Sequence, residues 1–544
     1  MDTKALRQKI LDLAIRGKLV PQDPNDEPAE VLLERIREQK QQMLKEGKLK
    51  KKDIKNDTII FKGEDNLHYE KFQDGTVKCI EDEIPFEVPE GWKWTRLGCI
   101  TDVIQYGLSN SAESTGDYRL LRITDIQNGC VNWDTVPFTC TDEPEKYLLH
   151  KDDIVFARTG ATVGKSFLIT DLPYCSVYAS YLIRIRLIKG ISTNYIYQFF
   201  NSYCYWEQVT DKAVGVGQPN CNGTALKELF IPLPSQAEQN RIIPVAYNLL
   251  RIADIVTSEQ KSLSELIQTT KSKILDLAIR GKLVPQNSDD EPASVLLERI
   301  RSEKEELIKH GKIKRDKKES IIFRGDDNSY YEKIDGEVSC IDVEIPYDIP
   351  DTWTWMRLEN CCVKEIRRGK SPKYAEISNV IVFAQKCNTK YNGIDISLAQ
   401  YLDETTLKRY PTDEYMQDGD VVINSTGTGT LGRVGIYRDG DNTTGLSVVP
   451  DSHVTIIRGF SCICPYYLYA YIKAHQSELE KKGEGSTNQK ELKPLTLKEM
   501  LIAIPPLSEQ KRIDKMIDVA FQSLAVIEEN LNWGVSQSLC KPSN

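Results

Sequence analysis

The chain has 544 residues, of which 40% are hydrophobic and 28% charged, and domains of ordinary size divide this length into three or four units. No apolar run reaches the roughly 18 residues that a membrane span needs, and the charged, amphipathic start is unlike a secretory signal, so we expect a cytoplasmic protein. The formal net charge of −9 argues against a basic face over the whole chain, so any contact with nucleic acid would have to rest on local basic loops and on charge supplied by other chains.

The first predicted element is a helix in residues 1–22, and its second half is repeated later in the chain. KILDLAIRGKLVPQ at Lys9–Gln22 returns letter for letter at Lys273–Gln286. The duplication continues in three further pairs of segments: DEPAEVLLERIR (Asp26–Arg37) with DEPASVLLERIR (Asp290–Arg301), TIIFKGEDN (Thr58–Asn66) with SIIFRGDDN (Ser320–Asn328), and EIPFEVPEGWKWTRL (Glu83–Leu97) with EIPYDIPDTWTWMRL (Glu344–Leu358). The chain is therefore an internal duplication.

The two halves diverge after Trp94 and Trp355, and they meet again in IPLPSQAEQNRI (Ile231–Ile242) and IAIPPLSEQKRI (Ile502–Ile513). Near-identical flanking segments, which we call the frame, thus enclose two inserts of different sequence. This arrangement is expected of a protein that recognises a target with two different halves. The alternative is a duplication whose inserts diverged without functional selection. We predict seven segments: an N-terminal helix (1–22), an extension (23–91), insert domain 1 (92–234), a central spacer helix (235–284), a second extension (285–352), insert domain 2 (353–506) and a C-terminal helix (507–544).

The central spacer has the pattern of a coiled coil. Apolar residues recur every seven positions from Ile242, and Ser235–Glu238 has the form of a capping box, which predicts a helix of about 45 residues and roughly 65 Å, or about 19 base pairs. Gln510–Asn532 resembles the first half of this helix and Leu6–Leu19 repeats the second half. We therefore expect the terminal helices to meet and pack against the central one. The predicted fold has two similar α+β or α/β insert domains, separated by long antiparallel coiled-coil helices in a pseudo-twofold circular arrangement; the alternative is an ordinary helical linker.

Two glycine-rich segments occupy corresponding places in the two inserts. Gly427–Gly432 spells GxGxxG after a strand-like segment, and Gly160–Ser166 ends in GKS but has Thr159 where a P-loop requires its first glycine. Nucleotide binding also needs a helix after such a turn, whereas strand-like residues follow both segments. We interpret them as hairpin turns that carry a basic residue, Lys165 or Arg433, near the DNA backbone. The alternative is a nucleotide-binding enzyme.

The sequence contains no recognisable catalytic constellation. An amino-methyltransferase needs a polar-Pro-Pro-aromatic motif, which IPPL at Ile504–Leu507 does not supply. The five histidines are dispersed, and the cysteines lack the spacing of a zinc site. We therefore predict a non-catalytic chain that holds no metal and no cofactor of its own.

The order of motifs follows the same plan in both halves. In the first half it runs PEGWKWTRLG, LLRITDIQNG, DIVFARTGATVGKSFL, GVGQPN and IPLPSQAEQNRI. In the second half it runs IPDTWTWMRL, DGDVVINSTGTGTLGRVGIY, GEGSTN and IAIPPLSEQKRI. This order resembles that of the specificity (S) subunits of type I restriction-modification systems, over nearly the whole chain.

The resemblance implies that each insert domain is a target-recognition domain that reads one half of a split double-stranded DNA site. It also implies that the helices dock two methyltransferase (M) subunits, and that motor-nuclease (R) subunits join to cut unmodified DNA. S-adenosylmethionine, ATP and Mg²⁺ are then expected on the partner subunits only. The extensions, which the simplest members lack, enlarge either the methyltransferase interface or the insert domains. The remaining alternative is a coiled-coil scaffold with two protein-binding modules.

Loops with basic and amide side chains are the candidate DNA contacts. Arginine can form two hydrogen bonds with guanine, and Asn or Gln can form two with adenine. Lysine typically contacts phosphate. The candidates in insert domain 1 are Arg122, Arg158, Lys165, Gln218 and Asn220. Those in insert domain 2 are Arg367, Arg368, Lys370, Lys373, Arg433, Asn488 and Gln489. The alternative for each basic residue is a surface salt bridge. The tryptophan pairs of the frame, Trp92/Trp94 and Trp353/Trp355, are predicted to lie in the core rather than to stack on bases.

Overall fold

A computed structural model of the chain describes residues 2–127, 129–213, 219–315, 320–390, 393–427, 429–485 and 490–532. The described residues divide into two units, the first built from residues up to Lys261 and the second from Ser262–Leu531. The boundary lies within the central helix, so each unit contains one half of that helix, one extension and one insert domain. No helix in these residues combines the length and the apolarity that a membrane span requires.

Unit 1 mixes helices and strands. Its helices are α1 (Thr3–Ile15), α2 (Ala29–Lys45), α3 (Lys51–Ile54), α4 (Pro144–Tyr147), α5 (Thr193–Phe199), α6 (Tyr203–Lys212), α7 (Gly223–Lys227) and the first part of α8 (Gln236–Ile279). Its strands are β1 (Ile59–Lys62), β2 (His68–Lys71), β3 (Val77–Cys79), β4 (Lys93–Arg96), β5 (Thr101–Tyr106), β6 (Tyr118–Leu121), β7 (Ile126–Gln127), β8 (Cys130–Val131), β9 (Phe138–Thr139), β10 (Ile154–Ala157), β11 (Ser166–Leu168), β12 (Ser176–Tyr178), β13 (Leu182–Leu187) and β14 (Phe230–Leu233).

Unit 2 begins with the second part of α8. Its other helices are α9 (Ala293–Lys309), α10 (Pro465–Ala474), α11 (Gln476–Lys481), α12 (Pro494–Lys498) and α13 (Leu507–Asn532). Its strands are β15 (Ser320–Arg324), β16 (Tyr330–Ile334), β17 (Glu337–Cys340), β18 (Thr354–Arg357), β19 (Tyr374–Ala375), β20 (Val380–Phe383), β21 (Gln400–Leu402), β22 (Val421–Asn424), β23 (Val434–Ile436), β24 (Ser447–Pro450), β25 (Val454–Ile457) and β26 (Leu501–Ile504).

The two insert domains share the order of their central strands, although their sequences diverge and each sheet differs by one edge strand. In insert domain 1 one sheet has the order β11-β10-β13-β5, and another has the order β12-β6-β9 with β12 parallel to β6. In insert domain 2 the corresponding orders are β23-β22-β25 and β24-β20-β21-β19, with β24 parallel to β20. The predicted similarity of the two domains is therefore confirmed.

A two-stranded antiparallel ladder joins the beginning of each insert domain to its end. Strand β4 pairs with β14 in unit 1, and β18 pairs with β26 in unit 2. The tryptophans of the frame lie on or just before β4 and β18, and none of the four is more than 6% exposed: Trp92, Trp94, Trp353 and Trp355. They belong to the core, as predicted, and they hold the ladder against the body of the domain.

Each extension packs on its own insert domain through a buried ion pair. An extension consists of a helix, α2 or α9, and a three-stranded antiparallel sheet, β1-β2-β3 or β15-β16-β17. The Arg96 guanidinium on β4 donates to Glu70 on β2 at 2.7 Å, and Arg357 on β18 donates to Glu332 on β16 at 2.6 Å. Because the two carboxylates are only 4% and 5% exposed, the structure favours extensions that enlarge the insert domains.

The N-terminal helix of unit 1 packs antiparallel to the first half of α8. Arg7 pairs with Asp254, while Asp26, further along the chain, accepts two hydrogen bonds from Arg241 at 2.6 and 3.0 Å. Asp26, which comes after Arg7 in the chain, thus contacts Arg241, which comes before Asp254. The N-terminal segment and α8 therefore run in opposite directions.

Unit 2 repeats this pairing with α13 and the second half of α8. Lys271 lies 2.8 Å from Glu528, and Asp290 lies 2.5 Å from Arg512. The predicted packing of each terminal helix on one half of the central helix is therefore confirmed within each unit. The meeting of the two chain ends in a circular arrangement stays a prediction.

A buried carboxylate joins each helix pair to its insert domain. Glu238 at the start of α8 accepts hydrogen bonds from Trp92 Nε1 at 2.7 Å and from Gln22 Nε2 at 2.5 Å. Glu509 accepts the corresponding bond from Trp353 Nε1 at 2.9 Å. Burial raises the pKa of both carboxyl groups. The tryptophan indoles therefore connect the insert domains to the helices that carry them.

Only half of the predicted capping box forms at the start of α8. The Ser235 hydroxyl accepts a hydrogen bond from the Glu238 amide at 3.0 Å, as the motif requires. The Glu238 carboxylate, however, bonds to Trp92 and Gln22 rather than to the backbone at the start of the helix. A partner distant in the sequence thus replaces the local one.

Candidate nucleic-acid interface

The two glycine-rich segments are hairpin turns between antiparallel strands, β10 and β11 in insert domain 1 and β22 and β23 in insert domain 2. The Ala157 amide donates to the Lys165 carbonyl at 2.8 Å, and the Asn424 amide donates to the Arg433 carbonyl at 3.0 Å. Lys165 and Arg433 therefore occupy equivalent positions. Because a strand follows each turn where a nucleotide-binding turn requires a helix, the hairpin interpretation is confirmed.

The basic residues of the two hairpins differ in their surroundings. The Lys165 side chain is exposed. The Arg433 guanidinium donates to the carbonyl oxygens of Asn388 at 2.7 Å and Gly429 at 3.2 Å, which holds it against its own domain. Lys165 is therefore the better placed of the two to contact phosphate.

Substituting Lys165→Ala is expected to weaken the binding of all DNA sequences by a similar factor, because a lysine on phosphate adds attraction but no base discrimination. The slope of log K against log salt concentration should become shallower by about 1. Titration of labelled DNA duplexes at several salt concentrations measures both quantities. Lys189→Ala, an exposed position beyond the opposite end of β13, is the control that should change neither. A changed order of preference among sequences would contradict a phosphate role.

Arg158 directly follows β10 and its backbone is fixed on both sides. Its amide donates to the Tyr181 carbonyl at 3.1 Å, and its carbonyl accepts the Cys221 amide at 2.9 Å. The guanidinium carbon lies 4.8 Å from the centre of the Tyr106 ring. The Nε atom is buried and has no hydrogen-bond partner among the described residues. Arg158 is thus held by an aromatic ring and the backbone, with donor capacity left unused.

Asn220 lies beside Arg158. It is exposed, and it forms an antiparallel bridge with Thr159, the next residue of the chain after Arg158. Tyr106 is also partly exposed, at 39%. We call Tyr106, Arg158 and Asn220 cluster 1; it offers a guanidinium, a phenol and an amide on one edge of insert domain 1.

The corresponding residues of insert domain 2, cluster 2, are Arg368, Ser425 and Glu491. The correspondence rests on strand register. Ile183 pairs with Tyr106 on one side and Phe156 on the other, as Thr455 pairs with Arg368 and Ile423, so Tyr106 matches Arg368 and, two residues after Phe156, Arg158 matches Ser425. Thr159 bridges Asn220 as Thr426 bridges Glu491, so Asn220 matches Glu491. Arg368 Nη2 lies 3.2 Å from Glu491 Oε1. Ser425 is buried, with its hydroxyl 2.6 Å from Thr455 Oγ1. Each cluster therefore contains one arginine, supplied from a different segment of the shared fold.

Three basic residues of insert domain 2 converge on one buried carboxylate. Arg367 Nη2 lies 2.5 Å, Lys364 Nζ 3.2 Å and Lys370 Nζ 3.8 Å from the carboxylate of Glu414, which is 2% exposed. An unpaired carboxylate at this depth would be costly, so these cations stabilise the domain itself. In the structure Arg367 thus forms the salt bridge that was the alternative to DNA contact.

The remaining candidates have varied positions. Arg122 donates to Asp125 at 2.7 and 3.1 Å, so its guanidinium has an acidic partner within its own domain. Lys373 is exposed. Three candidates lie outside the described residues: Gln218, Asn488 and Gln489. Contact with DNA stays a prediction for every candidate residue.

Sequence reasoning missed Tyr106, Lys364 and Glu491. Strand pairing brings each of them to a partner that is distant in the chain, so no local pattern reveals the contact. The sequence contains one weak signal of the match between Tyr106 and Arg368. Each of these residues is followed by a Gly-x-Ser segment, Gly107–Ser109 or Gly369–Ser371.

Among the described residues one group, His68, Glu81 and Glu87, has donor atoms close enough together for a metal ion. His68 Nδ1 and its amide lie 2.7 and 2.8 Å from the Glu81 carboxylate, and Lys62 pairs with Glu87 at 2.9 Å. These contacts already give both carboxylates a partner, and we assign no metal to the group.

Comparisons with known proteins agree with the motif order. Residues 89–265 and 350–533 match the family model described as type I restriction modification DNA specificity domain. The chain is 28% identical over 416 residues to the type I restriction enzyme EcoAI specificity subunit of Escherichia coli, a match that covers 65% of this chain and 62% of that subunit. It is 25% identical over 596 residues to the EcoEI specificity subunit of Escherichia coli, covering 95% of this chain and 89% of that subunit.

A solved chain from work on complex assembly and conformational transition of the type I R-M system is similar in fold. The TM-score is 0.50 at 16% identity, and the match covers 83% of this chain and 96% of that one. The family model covers more than half of the present chain, with one match on each insert domain. The resemblance in motif order is confirmed, and so is the expected targeting role in place of catalysis. The chain belongs to the family of type I restriction-modification DNA specificity proteins, and its role is the recognition of DNA sequence.

Proposed function

We propose that the chain directs a type I restriction-modification complex to a split, asymmetric DNA site. Insert domain 1 reads one half-site and insert domain 2 reads the other. The observation that carries this proposal is the contrast between clusters 1 and 2. Two domains of one fold carry different side chains at register-matched positions, so each is suited to a different base sequence.

We further propose that the partners are two methyltransferase subunits and, in the complete enzyme, motor-nuclease subunits. The repeated helix pairs support two copies of one partner, because each unit presents the same antiparallel pair and the same buried Trp–Glu connection. A circular, pseudo-twofold arrangement would place these copies symmetrically. S-adenosylmethionine, ATP and Mg²⁺ belong to those partners, and the complex works in the cytoplasm, where its DNA target lies.

Methylation sequencing of DNA from cells that express the chain with its methyltransferase tests the proposal. A split adenine-methylated motif is expected. Exchange of residues 92–234 for the insert domain of another family member should change one half of the motif and leave the other half and the gap unchanged. If both halves change, or neither does, modular recognition is wrong. Normal assembly without any preferred DNA sequence would instead indicate a protein-binding scaffold.

A further inference from the structure

The arginine of cluster 1 differs from the other arginines that we selected in insert domain 1 and at the start of insert domain 2. Arg122 bonds to Asp125, Arg367 to Glu414 and Arg368 to Glu491. Arg158 instead lies against the Tyr106 ring, and among the described residues no carboxylate pairs with its guanidinium. In this part of the chain its buried Nε atom is unpartnered, but so are those of Arg184 and Arg367, so Arg158 differs from the other three selected arginines in having a charge without an acidic partner.

The position of Arg158 is fixed before any ligand arrives. Both of its backbone polar groups are bonded, and the aromatic ring attracts the guanidinium without using its N–H donors. The Tyr106 hydroxyl is in turn anchored, because it accepts the Gly223 amide at 2.9 Å. An arginine held in this way loses little rotamer freedom when it binds a planar acceptor pair.

A guanine base edge offers the acceptor pair that such an arginine fits. The O6 and N7 atoms of guanine accept two parallel hydrogen bonds in the major groove, and Arg to guanine is the commonest base-specific contact. Asn220, exposed on the segment that pairs with Thr159, offers an amide next to Arg158. Phosphate is the competing acceptor on the same DNA, but a contact to phosphate carries no sequence information.

Cluster 2 has no arginine at the position of Arg158, which supports a role for Arg158 that is specific to insert domain 1. The Arg158 position is taken there by Ser425, which is buried and bonded to Thr455, so it cannot reach DNA. The arginine of cluster 2 comes from the Tyr106 position and pairs with Glu491, a carboxylate where cluster 1 has Asn220. The two domains therefore differ at all three matched positions, and only insert domain 1 has an arginine at the position of Arg158.

We infer that Arg158 reads a guanine in the half-site of insert domain 1, and that Tyr106 is the positioning residue that holds it. This inference rests on the proposed function, because it assumes that insert domain 1 reads a half-site. It adds the residue, the base and the mode of reading.

Methylation sequencing with an Arg158→Ala variant tests the inference in the complete complex. One guanine position in one half-site should become degenerate, and methylation at the original motif should fall about tenfold to hundredfold, the range for loss of one bidentate base contact. The other half-site should stay unchanged, which also shows that the variant folds and assembles. Arg368→Ala is the matched control, and it should leave the Arg158 half-site unchanged.

Conservative variants separate reading from mere charge. Arg158→Lys keeps the charge but not the planar pair of donors, so it should relax the same guanine position. Tyr106→Phe keeps the ring but loses the hydroxyl that accepts the Gly223 amide, so it should relax that same position less than Tyr106→Ala does. If Arg158→Ala abolishes all methylation, the Lys variant decides, since wild-type selectivity in that variant would overturn the inference.

The failures of the two proposals are distinguishable. If the wild-type chain directs methylation to no split motif, the proposed function itself is wrong. If a split motif exists but Arg158→Ala lowers methylation equally at all sequences, Arg158 contacts phosphate and the guanine assignment is wrong. The assignment is equally wrong if the half-site that changes contains no guanine.

Discussion

Gly369→Ala is expected to abolish methylation at the complete split site. Gly369 lies where the chain of insert domain 2 crosses from the β22–β25 sheet to pair with Asp451, beside β24. A Cβ atom at this position would lie 2.5 Å from the Pro450 carbonyl oxygen, closer than real Cβ contacts come. Backbone atoms cannot turn aside as a flexible side chain can, so the two segments must separate. We expect a loss of about 3 kcal/mol in the unfolding free energy of unit 2, the upper part of the range for overpacking.

The matched control for this substitution is Gly440→Ala. An added Cβ at Gly440 meets no atom within 4 Å, and its backbone does not adopt the left-handed conformation. This variant should change the unfolding free energy by less than about 0.5 kcal/mol, as exposed substitutions usually do. Urea denaturation measures stability and methylation sequencing measures recognition. Wild-type stability and motif in Gly369→Ala would show that the crossing tolerates a side chain.

The same crossing exists in insert domain 1. Gly107 bears the same relation to Tyr178 and Ala179, and its added Cβ would lie 2.7 Å from the Ala179 carbonyl carbon. The crossing glycine directly follows Tyr106 in cluster 1 and Arg368 in cluster 2. One constraint of the shared fold thus sets the position of both clusters, which explains how unlike recognition residues are presented from a common frame.

The frame could be predicted from the sequence because its signals are local or repeated. The exact repeat of Lys9–Gln22 at Lys273–Gln286 predicted two equivalent helix pairs, and the strand-like residues after each glycine-rich turn predicted hairpins. Heptad spacing and turn composition depend on neighbouring residues only. These predictions hold in the structure for the same reason.

The partners of the candidate DNA contacts could not be predicted, because strand pairing determines them. Arg367 looks free in the basic stretch around it, yet the fold brings Glu414 to it. Arg158 looks no different from Arg122 in the sequence, but one meets an aromatic ring and the other an aspartate. Glu238 fits a local capping motif, and a tryptophan far away in the chain takes its carboxylate. A residue type indicates a chemical capacity, whereas only the fold decides whether that capacity is already used.

Glu332→Ala is expected to lower the unfolding free energy of unit 2 by about 3 kcal/mol, the lower end of the usual cost of breaking a buried pair, because Arg357 keeps a second partner in Glu344 at 2.9 Å. The side chains of Glu332 and Arg357 are only 5% and 15% exposed. The Arg357 guanidinium also donates to the Glu499 carbonyl at 2.8 Å, so it cannot leave for solvent without losing that bond. Urea denaturation with a probe in unit 2 measures the effect. Glu337→Ala, an exposed glutamate on the neighbouring strand β17, is the control that should have little effect.

A double variant tests whether the loss comes from an unpaired charge or from missing contacts. Glu332→Leu with Arg357→Met removes both charges and retains apolar volume, so it should recover most of the stability that Glu332→Ala loses. If the double variant is as unstable as Glu332→Ala, the loss comes from shape and packing. The corresponding pair in unit 1, Glu70 with Arg96, should give the same pattern, because both carboxylates are buried alike.

The pH dependence of this loss follows from the pair's electrostatics. The hydrogen bond from Arg357 holds the pKa of Glu332 below its usual value of 4.5. A carboxyl with a lowered folded-state pKa stabilises the protein fully above its unfolded-state pKa, and this contribution disappears as the pH falls through the folded-state value. The stability difference between the wild type and Glu332→Ala should therefore be largest near neutral pH and shrink in acid. A difference that stays constant into strong acid would mean that the pair is not the link between extension and insert domain.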